Sequence, residues 1–125
     1  MLAAKGDSAS AKPIDIEVSK EGDKLTVVPQ KGDPYELTAE MLRVMSPSAE
    51  VQGHSAEQRV TVGGKRNVKI RELRPVGNYA VRVVFDDGHD TGLFTWPYLA
   101  ELYREKDRRW AEYLAEVKAK GLKRD

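Results

Sequence analysis

The chain has 125 residues, 40% hydrophobic and 33% charged, with 21 Lys and Arg against 20 Asp and Glu, two His and no Cys. At this length roughly two thirds of the unfolded surface can be buried, enough for one domain with its own core. A net charge of +1 lacks the basic excess that phosphate backbones demand, so no nucleic-acid partner is expected, and the missing cysteines exclude disulfides, thiolate metal sites and thiol nucleophiles.

Residues 1–12 are rich in Ala, Ser, Lys and Gly and carry too little apolar surface to offset the entropy of ordering them, so they read as a disordered tail before a single domain over 13–125. The tail lacks the apolar run of a signal peptide, and no later segment reaches the ~20 apolar residues of a membrane span, so no membrane contact is expected and the reading is cytoplasmic. Ile14, Ile16 and Val18 alternate with polar residues, and Leu25 and Val27 follow Glu21-Gly22-Asp23, the period of a half-buried hairpin. Thr38 is placed to cap a short helix running to Met45, with Leu37 and Leu42 as its hydrophobic staple and Pro47 as its stop.

Ser46 to Gln58 has neither helical nor strand period and is long for a connection in a small domain, a common property of functional loops. Val60 and Val62, Gly63-Gly64, then Val68 and Ile70 predict a second hairpin, with a bulge near Arg71-Glu72. Tyr79, Val81, Val83 and Phe85 form one face of a strong strand, Asp86-Asp87-Gly88 turns the chain, and Thr91 to Phe94 returns antiparallel to it. Thr95 caps a long helix over 96–120, with Pro97 in its first turn, Phe94 and Leu99 as the staple, and Gly121 as terminator. The fold class is therefore α+β: a small antiparallel or mixed sheet, one short helix and a long C-terminal helix.

Catalysis by this chain alone is not expected. Gly63-Gly64-Lys65 lacks the upstream glycine and the following Ser or Thr of a phosphate loop, and Ser46, Ser48 and Ser55 sit in no nucleophile-elbow motif. His54 is followed by Ser55-Ala56-Glu57 and His89 directly by Asp90, so neither supplies the His-x-Asp/Glu spacing of an oxygenase iron site.

Three segments, LRVMSPSAEVQGH, GGKRNVKI and NYAVRVVFDDGHDTGLFTWPYLAEL, resemble the gamma-butyrobetaine hydroxylase-like N-terminal domain family, long catalogued as a domain of unknown function. The resemblance spans about Ile14 to Tyr103. In the oxygenases that give the family its name it implies a structural zinc, held by three cysteines after a Leu-Arg pair and by the histidine of the Asp-Gly-His turn. Anchored on Leu42-Arg43, the cysteine positions fall on Ser46, Ser48 and Val51 and the histidine on His89. Two neutral hydroxyls and a valine are not zinc ligands, so the inherited site cannot form as written.

Two readings of His89 stand open. In one it is a turn residue that hydrogen-bonds across the vacated site, to a backbone carbonyl or to Glu50; in the other it centres an iron or zinc site with Asp87, His54 and Glu50. Arg43, His54, Lys65, Arg66 and Arg82 are candidates to converge near the long loop as a small anion or acidic-peptide surface for a partner, and Trp110 and Tyr113 belong to a helical aromatic stripe that serves either the core or a partner. The resemblance also implies partners, since related domains are fused to P-loop ATPases that carry iron-sulfur clusters and to 2-oxoglutarate oxygenases. The expectation is a non-catalytic accessory or adaptor domain, monomeric or homodimeric, serving such a metal-centre system; a mononuclear iron or zinc protein is the alternative, and an accessory subunit of an oxygenase the third.

Overall fold

A computed structural model describes residues 11–53 and 59–125. The expected hairpin is β1 (Asp15–Val18) and β2 (Lys24–Val28), in the register Ile16 to Val27 and Val18 to Leu25. Its turn is held from inside, because the Ser19 hydroxyl donates to Asp23 at 2.7 Å and accepts the Asp23 and Lys24 amides at 3.1 Å each. A third strand, β3 (Tyr35–Thr38), extends this into a meander by pairing Leu25 with Leu37 and Val27 with Tyr35. The Lys12 carbonyl accepts a hydrogen bond from the Gln30 side chain at 2.8 Å; residues 1–10 of the expected tail lie outside the described range.

Helix α1 (Ala39–Val44) starts where the cap predicts, with the Thr38 hydroxyl accepting the Met41 amide at 3.1 Å and both staple residues, Leu37 and Leu42, buried. The loop that follows contains a single helical turn, α2 (Ala49–Gln52), whose sequence is too short to show a period.

The expected second hairpin does not form. The amides of Gly64 and Arg66 donate to the carbonyls of Lys123 and Arg124 at 2.8 and 2.9 Å, and the Val62 carbonyl accepts from the Tyr113 hydroxyl at 2.6 Å. Residues 62–66 thus satisfy their backbone largely against the C-terminal helix and the segment beyond it, while the Val60 amide donates to the Val51 carbonyl, leaving no ladder for a partner strand.

A separate meander supplies the second sheet: β4 (Ile70–Val76), β5 (Ala80–Phe85) and β6 (Leu93–Thr95), all antiparallel, so two three-stranded sheets replace the one expected. The register of β4 on β5 shifts between Ile70 and Glu72, where the bulge is expected. Val81, Val83 and Phe85 are fully buried and Tyr79, at the turn, is exposed.

The long helix is two. Helix α3 (Trp96–Arg104) begins on Thr95, whose hydroxyl accepts the Tyr98 amide at 3.2 Å, and α4 (Lys106–Ala119) begins after a turn at Glu105 with φ −106° and ψ 13°. No residue between Leu102 and Tyr113 is fully buried, and at the break the Glu105 carboxylate gathers Arg108 and Arg109 at 2.5 and 3.0 Å. The chain does not project beyond the domain as a free helix end: Tyr113 and Val117 are buried in one apolar cluster that also holds Leu25, Val27, Leu42, Val83, Phe85 and Leu99 from both sheets and the other helices. No helix among the described residues is long and apolar enough to cross a membrane. The architecture is α+β, with the α1–α2 connection and the β5–β6 turn meeting at one end of the second sheet.

Candidate functional site

Pro47 ends α1, and the chain then places Ser46 and Ser48 against the β5–β6 turn, where Gly88 takes φ +91° and the Phe85 amide donates to the His89 carbonyl at 3.0 Å. The result is a buried polar cluster. The Ser46 hydroxyl lies 2.9 Å and the Ser48 hydroxyl 3.4 Å from Nε2 of His89, and the two hydroxyls are 3.3 Å apart. Ser46 is fully enclosed, while Ser48 and His89 are 5% and 7% exposed. Nδ1, on the other side of the ring, faces the Glu50 carboxylate at 3.5 Å, and Thr91 donates to that carboxylate at 2.7 Å.

Burial lowers the pKa of His89, and the Arg43 charge lowers it further against the opposing pull of Glu50, Asp87 and Asp90. The imidazole is therefore neutral at pH 7, with one nitrogen as donor and one as acceptor. A serine hydroxyl beside an imidazole whose other nitrogen faces a carboxylate has the order of a hydrolytic relay, but with Ser46 0% exposed no carbonyl carbon can approach its oxygen.

Below the ring, Asp87 is the hub of an ion cluster. One carboxylate oxygen takes Arg43 Nε at 2.8 Å and Lys65 Nζ at 2.5 Å, and the other takes the His89 amide at 3.1 Å. Burial alone would raise this carboxyl, yet the hydrogen bonds from Lys65, the His89 backbone and Arg43 hold its pKa down at about 2. Arg43 Nη1 and Arg82 Nε are buried without a hydrogen-bond partner among the described residues.

Of the residues singled out in the sequence, the fold unites Arg43, Ser46, Ser48, Glu50, Lys65, Asp87 and His89. Val51 is buried in α2, 1% exposed. Arg66 turns away to Asp125 at 2.5 Å. Trp110 is half-buried on the far helix, and Tyr113, expected as a partner contact, is only 1% exposed; the aromatic stripe is used by the protein's own core. His54 lies outside the described residues.

The donor set does not fit the zinc implied by the resemblance. The face of His89 that would meet a metal meets two neutral hydroxyls, and Val51 offers no donor. Among the described residues no three His, Cys, Asp or Glu side chains cluster as metal ligands, and both oxygens of Asp87 are already engaged.

Three supports of the site escape a reading of the sequence. Gly92 backs directly onto Ser46, so that a Cβ there would collide with Ser46 Oγ and crowd Pro47 Cδ at 3.3 Å. The Gln52 side chain holds the Ser46 carbonyl at 2.9 Å, and the Tyr98 hydroxyl holds the Met45 carbonyl at 2.6 Å. The glycine three residues after His89 is the one sequence signal among them.

The model of the gamma-butyrobetaine hydroxylase-like N-terminal family matches residues 16–100. Two solution structures determined by NMR resemble the chain with TM-scores of 0.79 each: one is 49% identical and covers 93% of this chain and 91% of its own, the other is 42% identical and covers 94% and 87%. A crystal structure of a protein with unknown function from Acidithiobacillus ferrooxidans, of the DUF971 family, is 37% identical with a TM-score of 0.61 and covers 75% of this chain and 94% of its own. No curated protein matches the sequence. The chain belongs to the gamma-butyrobetaine hydroxylase-like N-terminal family.

Proposed function

We propose that this protein is a non-catalytic adaptor that binds an acidic segment of a protein partner through the face built by Arg43, Lys65 and the His89 turn. The observation that carries the reading is the Asp87 hub: Arg43 and Lys65 share one carboxylate oxygen beside the His89 turn, so two cations are held in place there by a single anion. Rigid placement lowers the ordering cost of association, and arginine's fork suits a carboxylate. The buried cluster above it uses its polar groups on itself and positions that face rather than performing chemistry. The family's fusions to P-loop iron-sulfur cluster carrier ATPases make such an ATPase the partner to test.

The test is binding of the purified ATPase of the same cell to the protein and to its Lys65→Glu variant. At least tenfold weaker binding by the variant is expected. Equal affinity for both would remove this face as the contact, and binding of a 2-oxoglutarate oxygenase in place of the ATPase would favour an oxygenase accessory subunit.

A second reading, a mononuclear iron or zinc protein centred on His89, is favoured by the neutral imidazole and the nearby Glu50 carboxylate. Native mass spectrometry with metal analysis of untagged protein separates it: one equivalent of metal in the wild type, lost in His89→Ala, supports it, and metal-free protein in both sinks it.

A further inference from the structure

On the side of the first sheet and its helices, residues Gly121–Asp125 fold back over the domain as a strap. Gly121, at φ +68°, ends α4 with a reverse turn in which the Leu122 amide donates to the Val117 carbonyl at 2.9 Å and the Gly121 amide to Lys118 at 3.2 Å, the bonding that closes many helix ends. The strap then lies along residues 63–66, through the two amide-to-carbonyl bonds already described, and so closely that a Cβ on Gly63 would stand 2.8 Å from the Lys123 carbonyl.

The strap delivers Arg124 to Glu40. Two guanidinium nitrogens, Nε and Nη2, donate to the carboxylate at 2.9 and 2.7 Å, and the guanidinium carbon lies 5.3 Å from the centre of the Trp110 ring. Glu40 is 7% exposed. A carboxylate presented edge-on to two nitrogens, beneath an aromatic face, selects a planar guanidinium over a compact ammonium.

Arg124 does not fill the space. A cavity of about 320 Å³ beside it is lined by Glu36, Thr38, Glu40, Asp107 and Trp110, with Lys106 as the other cation. With Arg124 withdrawn, three carboxylates face one lysine, and Glu40 is left buried and unpaired, which is costly unless another cation replaces it.

We propose that the Glu40–Trp110 socket is a recognition site for an arginine side chain of a partner protein, held closed in cis by Arg124. The preferred occupant is an extended cationic segment that lays its arginine on Glu40 and pairs its backbone with Gly64 and Arg66, as the strap does. This surface meets the His89 face only along residues 63–66, where Lys65 points to Asp87 and its neighbours Gly64 and Arg66 hold the strap, and it stands without the reading given to that face.

The probe is a synthetic peptide with the sequence of the strap, acetyl-Gly-Leu-Lys-Arg-Asp-amide, titrated into the full chain while the Trp110 indole signal is followed by NMR. A variant lacking residues 123–125, in which both the socket and the amides of Gly64 and Arg66 are released, is expected to bind it at least tenfold more tightly than the wild type. Replacing the peptide's arginine by lysine, or adding Glu40→Gln to the variant, is expected to abolish the difference. Equal binding by wild type and variant, equal binding of the arginine and lysine peptides, or no binding to a folded variant would each overturn the proposal. If that variant does not fold, Arg124→Ala, which removes the fork but leaves the strap in place, takes its stead, and the arginine peptide is expected to shift the Trp110 signal more strongly than the lysine peptide.

Discussion

Ser46 Oγ and Nε2 of His89, 43 residues apart in sequence, meet at 2.9 Å in the interior. Removing the ring leaves two buried hydroxyls facing a void, and an unsatisfied buried polar group costs about 1–3 kcal/mol. His89→Ala is therefore expected to lose about 2–4 kcal/mol in chemical denaturation, the cavity adding to the polar term. A loss below about 0.5 kcal/mol would show that the cluster contributes nothing to folding.

The same burial sets a pH dependence. The folded pKa of His89 lies below its ordinary value of 6.5, so the unfolded chain binds the proton first as pH falls. Its contribution is fully present above pH 6.5 and declines as pH drops below that value. Asp87, lowered from 3.8 to about 2, acts in a separate window: its stabilisation is present above pH 3.8 and disappears as pH falls toward 2. Stability measured against pH is expected to show both declines, with His89→Gln lacking the upper one.

Gly92 has no room for a side chain, because its missing Cβ is where Ser46 Oγ sits. Gly92→Ala is expected to destabilise by about 1–3 kcal/mol, the range for overpacking a filled interior. Ser46→Ala removes the colliding oxygen, so the double variant is expected to be less destabilised than the sum of the two single changes. Strict additivity in that cycle would place the cost of Gly92→Ala elsewhere.

Tyr113 ties α4 to residues 60–66 through its hydroxyl, which donates to the Val62 carbonyl at 2.6 Å. Tyr113→Phe keeps the packing and deletes that bond, so a loss of about 0.5–1.5 kcal/mol is expected. Faster amide hydrogen exchange in residues 60–66 of the variant is the accompanying signature.

What the sequence discloses about this fold is what short-range chemistry controls. Thr38 and Thr95 mark helix starts because a cap is a contact over three residues, and the β4–β5 bulge shows as a break in alternation. Strand β3 goes unseen because Leu37 alone of its four residues is buried. The hairpin expected at Gly63-Gly64 fails for the opposite reason: the carbonyls that claim those amides belong to residues 123 and 124, and no local pattern announces them. In the candidate site, the convergence of Ser46, Ser48 and His89 is legible only through the family resemblance, which aligns them as ligand positions. The hub at Asp87 needs Arg43 from α1 and Lys65 from an irregular segment, two approaches that only the tertiary fold can specify.

Both sheets are meanders of strands adjacent in sequence, so their ladders form by closing short loops, and topology of that kind favours fast acquisition of structure. The joins between distant parts are of another sort. The Ile70 amide reaches back to the Gly22 carbonyl at 2.7 Å, and Arg124 reaches Glu40 across a separation of 84 residues. Loop closure costs grow only logarithmically with length, but the strap has nothing to lie on until residues 63–66 and Trp110 are in place. Its docking thus depends on contacts made by parts of the chain far from it in sequence.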